Sequence, residues 1–100
     1  MTSPESRLKE RGVELPPVAK PIASYVPALR QGNLVFTSGQ LPIAGGQVQV
    51  AGRLGAEVSV EEGRRAARMA CLNALAAARS ATDSLDTVER VVNLAVFVQS

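Results

Sequence analysis

The longest regular pattern in the chain is helical and lies between Ser59 and Arg79. Ala67, Ala70, Cys71, Ala74, Leu75 and Ala78 recur at helical spacing and make one apolar face, whereas Arg64, Arg65 and Arg68 fall on a solvated one. Ser59-Val60-Glu61-Glu62 has the form of a capping box, in which Ser59 caps the first turn and Glu62 reaches back to its amide. The pattern predicts a helix from about Val60 to about Arg79. Glu61 precedes Arg65 by one turn, a spacing for a surface ion pair, and Arg64 precedes Arg68, a like-charge pair. Asn73 interrupts the apolar run, either at the margin of the stripe or as a cap on a neighbouring backbone group. Small residues on the apolar face let the helix axis sit close to a sheet.

Upstream the period changes to that of strands. Ile22 to Leu29 reads as a strand with Tyr25 in its first half, and Pro27 places it at an edge or at a bulge because proline has no amide hydrogen. Gln31-Gly32-Asn33 is a hairpin turn before the β-type run Leu34-Val35-Phe36-Thr37. Ser38, Gly39 and Gln40 follow where that apolar strand stops. A hydroxyl and a glycine amide there form either the polar corner of a pocket or a plain Ser-Gly turn. Gly45-Gly46 is a second turn, and Gln47-Val48-Gln49-Val50 alternates as a short half-exposed strand. Gly52 to Val58 is a loop without a phosphate-binding glycine pattern. Ser84-Leu85-Asp86 can start one helical turn. In Arg90 to Val98, Val92, Leu94, Val96 and Val98 share one face while Val91, Asn93, Ala95 and Phe97 share the other. A strand so apolar on both faces is expected to be central and covered twice, by the helix and by another subunit.

The first 21 residues read as a separate leader. Ser3 caps a short helix, Pro4 suits its first turn, Glu5 complements its positive end and Gly12 can end it. Two turns are marginal alone, so this helix forms only if it docks. Glu14-Leu15-Pro16-Pro17-Val18 and Lys20-Pro21 are expected to run extended, as a strap.

Composition narrows the chemistry. The 100 residues suit one domain, and 46% hydrophobic with 20% charged residues is a globular balance. Only 3% are aromatic, so the core must come from Val, Leu, Ile and Ala, and a chain this small commonly oligomerises. The net charge of +2 is spread along the chain, without the basic and aromatic footprint of a nucleic-acid binder. With no His and a single Cys71, a His-based triad or zinc site is excluded within the chain, and Cys71 reads as a packing residue. No cofactor is expected. Neither a signal peptide nor a membrane-spanning run is legible, which makes the cytoplasm the default compartment.

Gly32-Asn33-Leu34-Val35-Phe36-Thr37-Ser38-Gly39-Gln40-Leu41-Pro42, with Tyr25 upstream, resembles the signature of the Rid family, the reactive intermediate deaminases also called YjgF. The likeness continues through Gly52-Arg53-Leu54-Gly55-Ala56-Glu57, Asn73-Ala74-Leu75 and Val91 to Val98, and the leader is similar to that of one subgroup. The resemblance implies an α+β fold, Rid/YjgF-like (chorismate-mutase-like), a mixed sheet with helices on one face whose other face packs into a homotrimer. Residues 1–21 would be the leader and 22–100 the N-terminal two-thirds of the domain. It further implies hydrolysis of enamine or imine intermediates to 2-keto acids and ammonia. On that resemblance Tyr25 takes the position of the family's active-site tyrosine, in the context Ala23-Ser24-Tyr25 where Gly-Pro-Tyr is usual, and Ser38 and Gly39 would bind substrate. The family's carboxylate-gripping arginine and water-positioning glutamate belong to a C-terminal part that this chain cannot be matched to, so little hydrolysis is expected of it alone. The alternative is a non-catalytic trimeric module binding small carboxylates or a protein partner. A ribonuclease activity attributed to some members ranks last, for want of an evident acid–base pair.

Overall fold

The computed structural model describes residues 3–18 and 26–100. Its first element, α1 (Pro4–Glu10), is held at both ends by its own sequence. Ser3 and Ser6 form a reciprocal capping box: the Ser6 amide donates to the Ser3 hydroxyl at 3.2 Å, and the Ser3 amide donates to the Ser6 hydroxyl at 2.8 Å. At the other end Gly12 takes φ +67°, and the amides of Val13 and Gly12 return to the carbonyls of Leu8 (2.9 Å) and Lys9 (3.1 Å). That bond pattern is a Schellman motif, which a residue with a Cβ would strain at Gly12.

The strands are β1 (Ala28–Gln31) and β2 (Leu34–Thr37), then β3 (Ile43–Ala44) and β4 (Gln47–Val48), arranged as two antiparallel hairpins. Gln31 pairs with Leu34 around Gly32-Asn33. Gly32 has φ +61° and Asn33 does not turn positive, the φ pattern of a type II′ turn that suits the right-handed twist of the strands. The second hairpin closes on Gly45 and Gly46, both at positive φ. The strand expected over Ile22 to Leu29 begins only at Ala28 among the described residues, and Tyr25 lies outside them. The alternating run Gln47 to Val50 pairs only as far as Val48; the Gln49 amide turns instead to the Pro42 carbonyl at 2.8 Å.

Helix α2 (Val60–Thr82) packs across β1, β2 and β3. Its capping box is the one expected, and it runs three residues past Arg79 because no glycine stands there to stop it; Asp83 takes the left-handed turn at φ +68°. The buried row differs from the predicted stripe. Asn73, Ala76 and Ala77 are the buried residues of the helix, whereas Ala67 and Cys71 are exposed. A hydropathy stripe counts Asn as polar and so is drawn one position away from the true contact row. Gly63 lets Leu54 lie against the helix: a Cβ there would stand 2.9 Å from Leu54 Cδ2. Arg64 pairs with Glu61 at 3.9 Å, fully at the surface, in place of the expected Glu61–Arg65 pair.

A short 3-10 turn, η1 (Leu85–Thr87), follows, capped by Ser84 as its sequence predicts. Here the leader docks. The Glu5 carboxylate accepts from the Leu85 amide at 2.8 Å and from the Arg79 guanidinium at 3.4 Å, while the Glu5 amide donates to the Asp86 carboxylate at 2.9 Å. Leu85 is buried beneath this junction. From Val88 onward the chain adopts no regular structure, and Val91 to Val98, expected as a central strand, is unpaired and exposed. Its main-chain tie to the rest of the fold is the Leu54 amide donating to the Gln99 carbonyl at 2.9 Å. A strand is made by its neighbours' hydrogen bonds, and none of the described strands lines up beside this one.

Candidate functional site

The polar group at the end of β2 is built by the first hairpin. Ser38 follows Thr37, and both its amide (3.0 Å) and its hydroxyl (3.2 Å) donate to the Pro27 carbonyl just before β1. Proline at 27 has no amide of its own to offer the ladder, yet its carbonyl is the point on which the strand end closes. Gln40 folds back so that its side-chain amide donates to the Ser38 hydroxyl at 3.2 Å and the Ser38 carbonyl at 3.3 Å. The Ser38 hydroxyl therefore spends its proton on Pro27 and one lone pair on Gln40, leaving its second lone pair for a ligand. Since the Ser38 amide also reaches the Pro27 carbonyl, the hydroxyl can rotate away without leaving that acceptor bare.

Gly39 is exposed, and a Cβ placed on it would meet nothing within 4 Å. Its amide makes no hydrogen bond to another described residue. The corner thus offers one unused N–H donor and one hydroxyl lone pair beside open space. Of the three residues singled out by the sequence, the structure brings Ser38 and Gly39 together; Tyr25 falls outside the described residues.

Two residues matter that the motif reading did not assign to the site. Gln40 was only part of the string, and its contact with Ser38 shows why that position carries an amide. Asn73 is 1% exposed on α2, and its Nδ2 donates to the carbonyls of Leu41 (2.9 Å) and Ile43 (3.0 Å). Of its two expected roles the structure assigns the backbone cap. Among the described residues, none of the hydrogen bonds at Ser38 or Gly39 comes from a titratable group, and no cluster of His, Cys, Asp or Glu could hold a metal ion. Among the described residues no helix is long and apolar enough to cross a membrane.

An α+β chain with a helix laid across an antiparallel hairpin and a Ser-Gly corner at its strand end defines the class. Residues 5–99 match the family model described as YjgF/chorismate mutase-like, putative endoribonuclease. The chain is 39% identical over 95 residues to Protein TCP17 of Trypanosoma cruzi, covering 95% of this chain and 59% of that protein. Among solved structures it is similar to a putative endoribonuclease from Shewanella oneidensis MR-1 (43% identity, TM-score 0.76, 84% of this chain and 56% of that one). It is also similar to Atu1372, a protein of unknown function from Agrobacterium tumefaciens (40% identity, TM-score 0.63, 79% of this chain and 46% of that one). The chain belongs to the YjgF family. It spans little more than half the length of TCP17 and of the Shewanella protein.

Proposed function

We propose that the Ser38–Gly39 corner is part of a site that hydrolyses enamine or imine intermediates to 2-keto acids and ammonia, in a cytoplasmic homotrimer. The observation that carries this reading is the unused Gly39 amide beside the Ser38 hydroxyl, open to solvent at a strand end, in a chain of this family. Hydrolysis adds water across C=N and expels ammonia, so a site must hold the carboxylate, keep the nitrogen oriented and aim a water at the imine carbon. An N–H donor at Gly39 suits a ligand oxygen. The spare lone pair of Ser38 suits an imine N–H. Tyr25, by its place in the family signature, would orient the water or the substrate. Trimer formation is supported by the face of the hairpin that carries Leu29, Leu34 and Phe36, all exposed, and by the uncovered apolar run from Val91 to Val98.

The family model and the Shewanella relative carry the word endoribonuclease in their descriptions. RNA cleavage calls for a general acid–base pair at the 2′-hydroxyl, and this chain has no His and, among the described residues, no titratable partner bonded at the corner. The same lack of a titratable partner favours, as the second reading, a non-catalytic module that binds small carboxylates.

The deciding assay generates an imine from an amino acid with an oxidase and follows keto-acid release. It is run on this chain and on the chain extended by the C-terminal part of the Shewanella relative. Hydrolysis by the extended chain is expected, lowered when Gly39→Pro removes the amide hydrogen and little changed by Gly39→Ala, which keeps it. An extended chain that binds 2-keto acids without hydrolysing imines establishes the binding module instead.

A further inference from the structure

We propose that Asn73 is a positioning residue for this corner, setting the place of the Gly39 amide through the backbone of Leu41 and Ile43. This rests on the reading of Ser38 and Gly39 as a ligand site. Asn73 is the buried polar residue among the described residues, and both of its Nδ2 protons are committed, to the carbonyls at Leu41 and Ile43. Between those two carbonyls the chain makes a tight turn, with the Ile43 amide donating to the Leu41 carbonyl at 2.8 Å and Pro42 fixing φ at its centre. Pro42 itself is held by the Gln49 amide at 2.8 Å.

The segment is therefore pinned at two places. Ser38 is fixed to Pro27 by its amide and its hydroxyl, and Leu41 is fixed to α2 by Asn73. Gly39 and Gln40 bridge the two anchors, and only a few backbone dihedrals remain to place the free Gly39 N–H. Glycine in open space has wide conformational freedom, so without the second anchor nothing holds that amide in one direction. A helix rigidly seated on the hairpin thus sets the geometry of a loop that it does not otherwise need to touch. An amide with both protons spent on one turn is what a defined loop geometry requires.

The test uses the 100-residue chain and its extended form, isotope-labelled for NMR, with 2-oxobutyrate as the probe. In Asn73→Ala the amide signals of Ser38, Gly39 and Gln40 are expected to move more than those of Arg30 and Val35 in the hairpin or Arg64 on the helix. Probe binding by the folded fraction of the extended chain should weaken about tenfold, because a Gly39 amide no longer held in one direction must be ordered before it can donate. Asn73→Asp covers the case in which the alanine variant fails to fold. Its carboxylate faces the same two carbonyls when ionised, and burial and those carbonyls push its carboxyl upward. Protonated, it gives one bond back. Relative to wild type, its stability is best at low pH and is lost as pH rises, and its Ser38 to Gln40 signals should approach the wild-type positions only on the acid side. Signals at 38 to 40 that stay in place in folded Asn73→Ala, or that ignore pH in Asn73→Asp, overturn the proposal. A chain extended by the C-terminal part of the Shewanella relative whose Gly39 signal does not respond to 2-oxobutyrate defeats the ligand site, while the displacements in the two variants still decide the role of Asn73.

Discussion

The two ends of the described chain invert the expectation that pattern strength decides structure. Residues 3–18 carry a weak helical signal, with Leu8 as the large apolar residue between Pro4 and Arg11. Yet α1 forms, capped at both ends and fastened by the Glu5 carboxylate on Leu85 and Arg79 and the Asp86 carboxylate on Glu5. Residues 91–98 carry the clearest strand signal in the chain and form none, with Phe97 95% exposed. The difference is partners. Each end of α1 has its backbone groups met by side chains or by a turn, whereas the strand's hydrogen-bonding groups and both its faces wait for something to lie beside them.

The sharpest way to break that contrast is to measure mass. If the apolar run and the outer hairpin face are covered by other copies, light scattering at micromolar concentration gives the mass of a trimer, and Val96→Asp shifts it toward a monomer. A folded monomer in the wild type, unaffected by that substitution, would falsify the trimer. The next effect is on stability at the other end. Leu85 is 5% exposed at the leader's docking point, so Leu85→Ala should cost about 2 to 5 kcal/mol in urea unfolding. Val92→Ala, at a side chain 76% exposed, should cost less than about 0.5 kcal/mol unless assembly buries it.

A finer cut separates docking from intrinsic helix formation. Glu5→Ala removes the acceptor for the Leu85 amide and the Arg79 guanidinium and should cost about 1 kcal/mol, with amide exchange quickened throughout α1 and unchanged in the middle of α2. Slow exchange surviving in α1 would show that the caps alone suffice. The smallest effect concerns the capping box of α2. Hydrogen bonds from the Ser59 amide and hydroxyl hold the Glu62 carboxyl below its ordinary value, with Arg65 adding to them. A depressed carboxyl stabilises the fold above its unfolded value and loses that contribution as pH falls through the folded one. Faster exchange at the first turn of α2 is therefore expected on the acid side of the carboxylate range, and Glu62→Gln should flatten that dependence.

What the sequence determined by itself is local. Ser59 with Glu62, Ser3 before Pro4, Ser84 before Leu85, and Gly32 at the hairpin are settled by residues within a few positions of one another, because caps and turns satisfy their own backbone groups. The Ser38–Gly39 corner was legible for the same reason, as a short string at a strand end. Tertiary structure alone decided the rest. It put Asn73 at the bottom of the core, where an amide 30 and 32 residues from its partners caps two carbonyls, and so moved the buried row of α2 off its hydropathy stripe. It turned the Ser38 hydroxyl onto Pro27 and brought Gln40 back over it. It fastened Glu5 to a turn 80 residues away and left Val91 to Val98 unpaired. Each of these depends on which groups meet across space, and hydrophobic periodicity records how strongly a residue avoids water but not which partner will satisfy it.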